Sequence, residues 1–266
     1  MSYALLSFRT GSDHDILQWD GRSMEGELKG FENRTLSSVF EKYLHGQRAR
    51  ILEGGCGFGA WCKWLQRYGH EVIGIEYDER VIAKTKTHNP DVPVELGNVL
   101  SLRYPDNSFD AYISLGVIEH FEGGPQAALK EGWRILKPNG IAFITTPYLN
   151  LLRRVVSHPV RSMYFALRRL RGRKNYFWEY RFTRRELESY VKEAGFELIE
   201  TRVEDYERTE KARHIGLWAD WPFLRNKNGE IWELNGLGKG FLKFMKLFPA
   251  SWYSGGIAVV AKARKN

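Results

Sequence analysis

Between residues 49 and 147, short apolar runs alternate with stretches whose apolar residues recur every three or four positions, the pattern of strand followed by helix. The run at 49–52 ends in glycines, after which Trp61, Trp64, Leu65 and Tyr68 recur at helical spacing until Gly69. A strand at 72–75 and a helix at 79–87 follow, the helix closed by Asn89 and Pro90, and then a short strand at 94–96. The turn Pro105-Asp106-Asn107-Ser108 leads to a strand at 111–115. A helix at 125–136 ends in Lys137-Pro138-Asn139-Gly140, and a strand at 141–145 stops at Pro147. Regular alternation of this kind predicts an α/β fold, a doubly wound parallel sheet with helices on both faces, whose ligands bind at the carboxyl ends of the strands.

The alternation stops over 148–182 and resumes at Thr183, which with Glu186 reads as a capping box. That helix ends at Gly195 and a strand at 196–203 follows; 205–254 is again irregular, and 256–263 reads as a final strand. The chain of 266 residues fits one decorated domain. We expect 1–48 to be an N-terminal cap, 49–147 and 183–204 the core, 148–182 a basic insertion, 205–254 an aromatic-rich insertion and 255–266 the final strand, with the two insertions forming a lid.

Hydrophobic residues at 43% and charged residues at 27% exclude collagen-like, coiled-coil and wholly disordered chains. No apolar run is long enough to span a bilayer, and Asp13, Asp15, Asp20, Glu25 and Glu27 are foreign to a signal peptide, so a cytoplasmic protein is expected. Cys56 and Cys62 are read as reduced thiols. The charge is local. No acid lies between Glu131 and Glu179, while ten arginines and lysines do, and against a net charge of +8 they leave the remainder at −2.

Ile51-Leu52-Glu53-Gly54-Gly55-Cys56-Gly57-Phe58-Gly59 runs from a strand into a glycine-rich bend. Glycines at 55, 57 and 59 let a ligand approach the backbone. Gly55, Gly57 and Ala60 also satisfy the dinucleotide fingerprint, so glycines alone leave two ligand classes open. Glu53 separates them, because a carboxylate at the strand tip repels a pyrophosphate and attracts a ligand carrying an ammonium and a sulfonium, which is S-adenosylmethionine. Glu76 closes the second strand about 20 residues later, where a carboxylate accepts hydrogen bonds from ribose hydroxyls.

With these residues in view, 49–202 together with 256–263 resembles the class I S-adenosylmethionine-dependent methyltransferases, of the broad group that includes ubiquinone- and menaquinone-pathway enzymes. Glu53 through Gly59 is similar to the family's first motif and Gly74-Ile75-Glu76 to its second, where aspartate is commoner. Gly97-Asn98-Val99 stands where the family usually shows Gly-Asp-Val or Gly-Asp-Ala, whose acid contacts the adenine amino group. The Asn98 carbonyl still accepts that bond. Tyr104 through Asp110, Ser114 through His120, Arg134 through Gly140 and the Phe182–Phe196 stretch resemble later family segments. The resemblance implies a Rossmann-like seven-stranded sheet with an antiparallel last strand. It also implies donor binding by Glu53, Gly54, Gly55, Gly57, Gly59, Glu76, Tyr77, Asn98, Val99 and Leu115.

Methyl transfer needs a base only when the acceptor must lose a proton. His120 is the candidate base and Glu119 a second candidate, both just beyond the fourth strand. His70, His88, His120 and His158 show no ligand spacing, so no metal is expected. Nucleic-acid adenine methylation needs an Asp/Asn-Pro-Pro-aromatic motif where this chain has Ser114-Leu115-Gly116-Val117. Residues 149–173 mix aliphatic and aromatic residues with arginines, and Pro159 is expected to split them into two short helices. Phe241, Phe244, Met245 and Phe248 fall on one helical face near the other end. Two basic amphipathic insertions suit an anionic membrane surface or a lipid-linked acceptor. Trp218, Trp221, Trp232 and Trp252 are expected to line the acceptor pocket, and the stretch around Trp19 to fold over the donor. The expected activity is methylation, at a hydroxyl, of a small, lipid-linked or saccharide acceptor. A non-catalytic donor-binding partner protein and an NAD(P)-dependent oxidoreductase stay open as alternatives.

Overall fold

The alternating runs build one twisted sheet in the computed structural model, which describes residues 3–7, 24–31, 35–46, 48–204, 213–229 and 232–265. Strands β2 (Arg50–Gly54), β3 (Glu71–Glu76), β4 (Val94–Leu96), β5 (Phe109–Leu115) and β6 (Leu136–Pro147) pair in parallel. The last strand, β9 (Gly256–Ala263), inserts antiparallel between β6 and β8 (Phe196–Glu204), giving the order β4-β3-β2-β5-β6-β9-β8. This is the seven-stranded Rossmann-like sheet the sequence implied, with its last strand reversed.

Both faces of the sheet are covered, which explains why its strands read as unbroken apolar runs. Ile51, Ile113 and Phe143 point to one face, where helices α1 (Met24–Phe31), α2 (Thr35–Leu44), α3 (Ala60–Arg67) and α4 (Glu79–His88) bring Phe31, Phe40, Trp61, Trp64 and Val81. Leu52, Tyr112 and Ile144 point to the other, against α5 (Gln126–Ile135) and α7 (Arg184–Glu193). Helix α7 begins with the expected capping box: the Glu186 amide donates to the Thr183 hydroxyl, and the Thr183 amide returns a 3.0 Å bond to the Glu186 carboxylate. The turn read at Lys137-Pro138-Asn139-Gly140 is instead looped out inside β6. Pairing shifts from Phe109↔Leu136 to Ala111↔Ile141, and Asn139 takes φ 64° to make the bend.

The insertions differ most from expectation. Strand β7 (Tyr176–Arg181) lies in the first of them and pairs antiparallel with β1 (Tyr3–Ser7) as a two-stranded ribbon. Its alternation is hard to read in sequence, because every position is aromatic or charged and the pairing shifts register opposite Leu5 and Leu6. Pro159 does not split the basic segment. The helical path widens into a π turn at Arg153–Ser157, where the His158 amide reaches the Arg153 carbonyl five residues back, and continues as α6 (His158–Leu170). Pro159 thereby falls in the first turn of the α-helix, where its missing N–H is no loss.

In the second insertion, α8 (Ile215–Asp220) and α9 (Gly236–Met245) close over Leu217, Leu224, Leu234 and Leu242. The stripe expected on α9 is divided: Met245 turns inward while Phe244 is 54% exposed against Phe248. Asp220 fastens this insertion to the first, accepting from Arg153 Nε at 2.6 Å and from Arg181 at 2.7 Å, with all three side chains buried. The stretch around Trp19 and residues 205–212 lie outside the described residues. Among the described residues, no helix is long and apolar enough to cross a membrane.

Candidate functional site

The bend after β2 works because its glycines take conformations closed to other residues. Gly55 and Gly57 have φ of 70° and 55°. The Gly55 and Cys56 amides both donate to the Ile75 carbonyl, at 2.7 and 3.0 Å, stitching the bend to the tip of β3. A Cβ on Gly55 would strike the Val117 side chain across the opening. Gly59 is left-handed too, at φ 73°, and both it and Gly54 are also needed for packing. A Cβ on Gly54 would sit 2.8 Å from the Tyr112 hydroxyl, and one on Gly59 would sit 2.7 Å from Val92.

A cavity of about 470 Å³ opens at the carboxyl ends of β2, β3, β4 and β5, within the range of small-molecule sites. Gly55, Glu76, Tyr77, Asn98 and Val99 line one side, and Gly116, Val117, His120 and Phe121 line the other. The Glu76 carboxylate is buried and well bound: Oε2 accepts from the Gly57 amide at 3.0 Å, and Oε1 from the Tyr77 and Asp78 amides at 2.8 and 3.1 Å. Burial raises its pKa, with the three N–H donors opposing that rise. Asn98 Oδ1 accepts from the Leu100 amide at 2.9 Å, and a carbonyl oxygen has a second lone pair to offer. Tyr77 is exposed at the rim.

Six expected site residues, Glu53, Gly54, Gly57, Gly59, Leu115 and Glu119, do not line this cavity. Glu53 lies beneath the bend rather than facing the opening; its carboxylate accepts from the Cys62 thiol at 3.0 Å and is buried. The reason is strand alternation: Glu53 follows Ile51 onto the sheet face that carries α3, where Cys62 sits. Cys56 and Cys62 are free thiols; burial raises the first, and its bond to Cys56 together with burial raises the second, so both keep their protons. Leu115 ends β5 packed against the core, and the cavity wall begins one residue later at Gly116. Glu119 turns inward from the short 3₁₀ turn Ile118–His120. It is 2% exposed, its Oε2 has no hydrogen-bond partner among the described residues, and burial pushes its pKa up to about 8.

His120 does face the cavity. Its Nδ1 lies 3.0 Å from the Trp178 carbonyl, which only accepts, so Nδ1 carries the proton and Nε2 is the basic nitrogen. The Trp178 ring stands edge-on to the imidazole at 5.1 Å, and Phe177 lies beside it on the wall. These two aromatics, on β7, are functional positions the sequence reading missed. The tryptophans expected to line the pocket are elsewhere: Trp218 and Trp221 pack on the second insertion's own cluster, Trp252 stacks on Phe248, and Trp232 is off the cavity wall. Charge on the wall is one-sided. Glu76, Asp78 and Glu122 contribute carboxylates, and no lysine or arginine lines it among the described residues. Among the described residues no group of three His, Cys, Asp or Glu side chains is arranged to hold a metal.

Residues 52–144 match a family described as the methyltransferase domain. A probable S-adenosylmethionine-dependent methyltransferase of Mycolicibacterium smegmatis is 34% identical over 110 residues, which are 41% of this chain and 42% of that protein. A ubiquinone biosynthesis O-methyltransferase of Azorhizobium caulinodans is 28% identical over 57% of this chain and 60% of that protein. The match thus spans less than two thirds of the length of these relatives. Among solved structures, the complex of the Haloferax volcanii Trm112 methyltransferase activator with a methyltransferase contains a chain that superposes with a TM-score of 0.61. It is 14% identical, over 97% of this chain and 99% of that one, a likeness of fold.

Proposed function

We propose that this chain, which carries a class I S-adenosylmethionine-dependent methyltransferase domain, transfers the donor's methyl group to a hydroxyl of a small, lipid-linked or saccharide acceptor. The observation that carries the donor assignment is the charge of the wall: carboxylates at Glu76, Glu122 and Asp78, the last paired with Arg80, and no lysine or arginine on the wall among the described residues. A dinucleotide pyrophosphate would meet repulsion there, and a sulfonium with an ammonium would meet attraction. That role passes from Glu53, which the sequence alone suggested, to side chains that line the opening. The cavity's volume of about 470 Å³ suits a ligand of nucleoside size, and the left-handed Gly55 lets the bend pass close to Val117 at its edge.

In this reading Gly55, Glu76, Tyr77, Asn98 and Val99 hold the donor, and the Gly57 amide fixes the Glu76 carboxylate. Glu76 takes ribose hydroxyls with the lone pairs its amide contacts leave over, and the Asn98 carbonyl takes the adenine amino group. Gly54 and Gly59 keep the bend close to the sheet, and Glu53 supports it from below through Cys62. Bound there, S-adenosylmethionine supplies an electrophilic methyl group. His120 Nε2 takes the proton of the acceptor hydroxyl, its tautomer fixed by the Trp178 carbonyl. Phe177 and Trp178 exclude water from the same end of the cavity. The quinone-pathway O-methyltransferase among the relatives supports oxygen as the acceptor atom.

Calorimetric titration with S-adenosylhomocysteine and, separately, NADH tests the donor assignment. The expected result is binding of the first alone, weakened roughly 10- to 100-fold by Glu76→Ala as charge-assisted bonds are lost. Tight NADH binding without S-adenosylhomocysteine binding would overturn it.

A further inference from the structure

Helix α6 is inside out. Val160, Met163, Tyr164, Leu167 and Leu170 recur at i, i+3, i+4, i+7 and i+10, which is one stripe of a helix, and all five face water, Leu170 at 83% exposure. The opposite face is the polar one. It turns buried His158 and part-buried Arg161 toward the ribbon, where His158 stacks on Tyr3 at 3.7 Å and Arg161 donates to the Leu6 carbonyl at 2.7 Å, with Phe165 as its apolar anchor. A surface helix of a globular domain ordinarily does the reverse, and an apolar stripe of this length left in water marks a contact surface.

The charge around the stripe says what it contacts. Arg154, Arg169, Arg171, Arg173 and Lys174 are exposed and make no ion pair among the described residues, and no acid occurs anywhere in 132–178. Arg153 is different: it is spent on Asp220 inside the protein. A second exposed apolar set, Leu237, Phe244 and Leu247, with Lys243 beside it, belongs to the insertion whose leucine cluster packs on Leu152 at the start of the same helical segment.

We propose that this face of α6 docks on an anionic lipid bilayer, with the aliphatic stripe at the acyl boundary and the arginines among the headgroups. Five exposed apolar side chains gain nothing from RNA phosphates, and the face lacks an aromatic stacking platform. A second copy of the chain would oppose two acid-free basic faces. A bilayer satisfies both features at once, since buried apolar area and basic charge each add to interfacial binding. The proposal goes beyond the methyl-transfer reading and does not depend on it.

Flotation of the full chain with vesicles of phosphatidylcholine, alone or with phosphatidylserine, tests it. Binding is expected only with the anionic lipid and only at low salt. The triple variant Arg169→Glu, Arg171→Glu, Arg173→Glu should lower the partition coefficient by at least about a hundredfold. Leu167→Glu with Leu170→Glu should lower it similarly. All five side chains are exposed and off the cavity, so melting temperature and S-adenosylhomocysteine binding should be unchanged, and failure of donor binding would count against the donor assignment alone. Equal flotation with both lipids, no flotation, or flotation unmoved by either variant would overturn the proposal. So would a concentration-dependent dimer abolished by Leu167→Glu without vesicle binding, which would assign the stripe to a second copy.

Discussion

At the scale of single residues, two neighbours in one 3₁₀ turn have been put to opposite uses. His120 faces the cavity and Glu119 the core. His120→Gln is expected to keep S-adenosylhomocysteine affinity within a few-fold while lowering kcat on a hydroxyl acceptor by about 10²–10⁴; a comparable loss of donor affinity would show that the imidazole only shapes the pocket. Glu119 has a pKa near 8 in the fold against an ordinary 4.5. Its contribution is therefore most favourable below pH 4.5 and declines as the pH rises toward 8, because the unfolded chain gives up a proton that the fold retains. Glu119→Gln, which copies the protonated form, should raise Tm at pH 8, by a stability gain on the order of a few kcal/mol, and change it little at pH 4.5. An equal shift at both pH values would mean that the buried carboxyl is not being kept neutral. The two residues were legible as a pair from their place after the fourth strand, but not their division of labour, which depends on the rotation of a single turn.

At the scale of elements, the core strands and helices could be read to within about two residues, apart from β6, which starts five residues before the expected 141, because each carries its own period and its own stop signal. Thr183 with Glu186 and Asn89 with Pro90 are local chemistry, and local chemistry survives into the fold. The insertions were misread where their logic is not local. Arg153 looked like one more charge in a basic run; its partner is Asp220, 67 positions away, with the Tyr148 and Gly255 carbonyls accepting from its Nη1. Burial alone would raise the Asp220 pKa, but Arg153 and Arg181 hold the carboxyl well below the usual range. Asp220→Asn leaves the buried Arg153 without its counter-charge and Arg181 with Glu179 alone, and should cost roughly 3–5 kcal/mol. Urea unfolding checks this, and a loss under about 1 kcal/mol would show that the insertions are held together by their leucine cluster instead.

Across the whole molecule, two buried titrating groups bend stability in opposite directions. His158 is held neutral to about pH 3, first by burial and then by Arg181. Its contribution is complete above the ordinary value of 6.5 and is lost as the pH falls from there toward 3, since the unfolded chain takes up a proton that the fold refuses. Glu119 pulls the other way from 4.5 to 8. Between pH 4.5 and 6.5 the two slopes cancel, so Tm is expected to form a plateau there and to fall on both sides. His158→Gln should flatten the acid side and Glu119→Gln the alkaline side; a Tm profile unchanged by both would sink the assignment of these two groups.

What the sequence determined by itself was everything that repeats or caps within a few residues: the strand–helix alternation, the glycine bend and the acid at the end of β3, while the reversed last strand was implied by the family resemblance. Even the net charge was correctly traced to one segment. What only the tertiary structure decided was direction. Which way Glu53 points, which aromatics reach the cavity, and whether α6 turns its leucines inward or out are settled by contacts between residues far apart in the chain. A period fixes which side chains share a face, and packing alone chooses what that face meets.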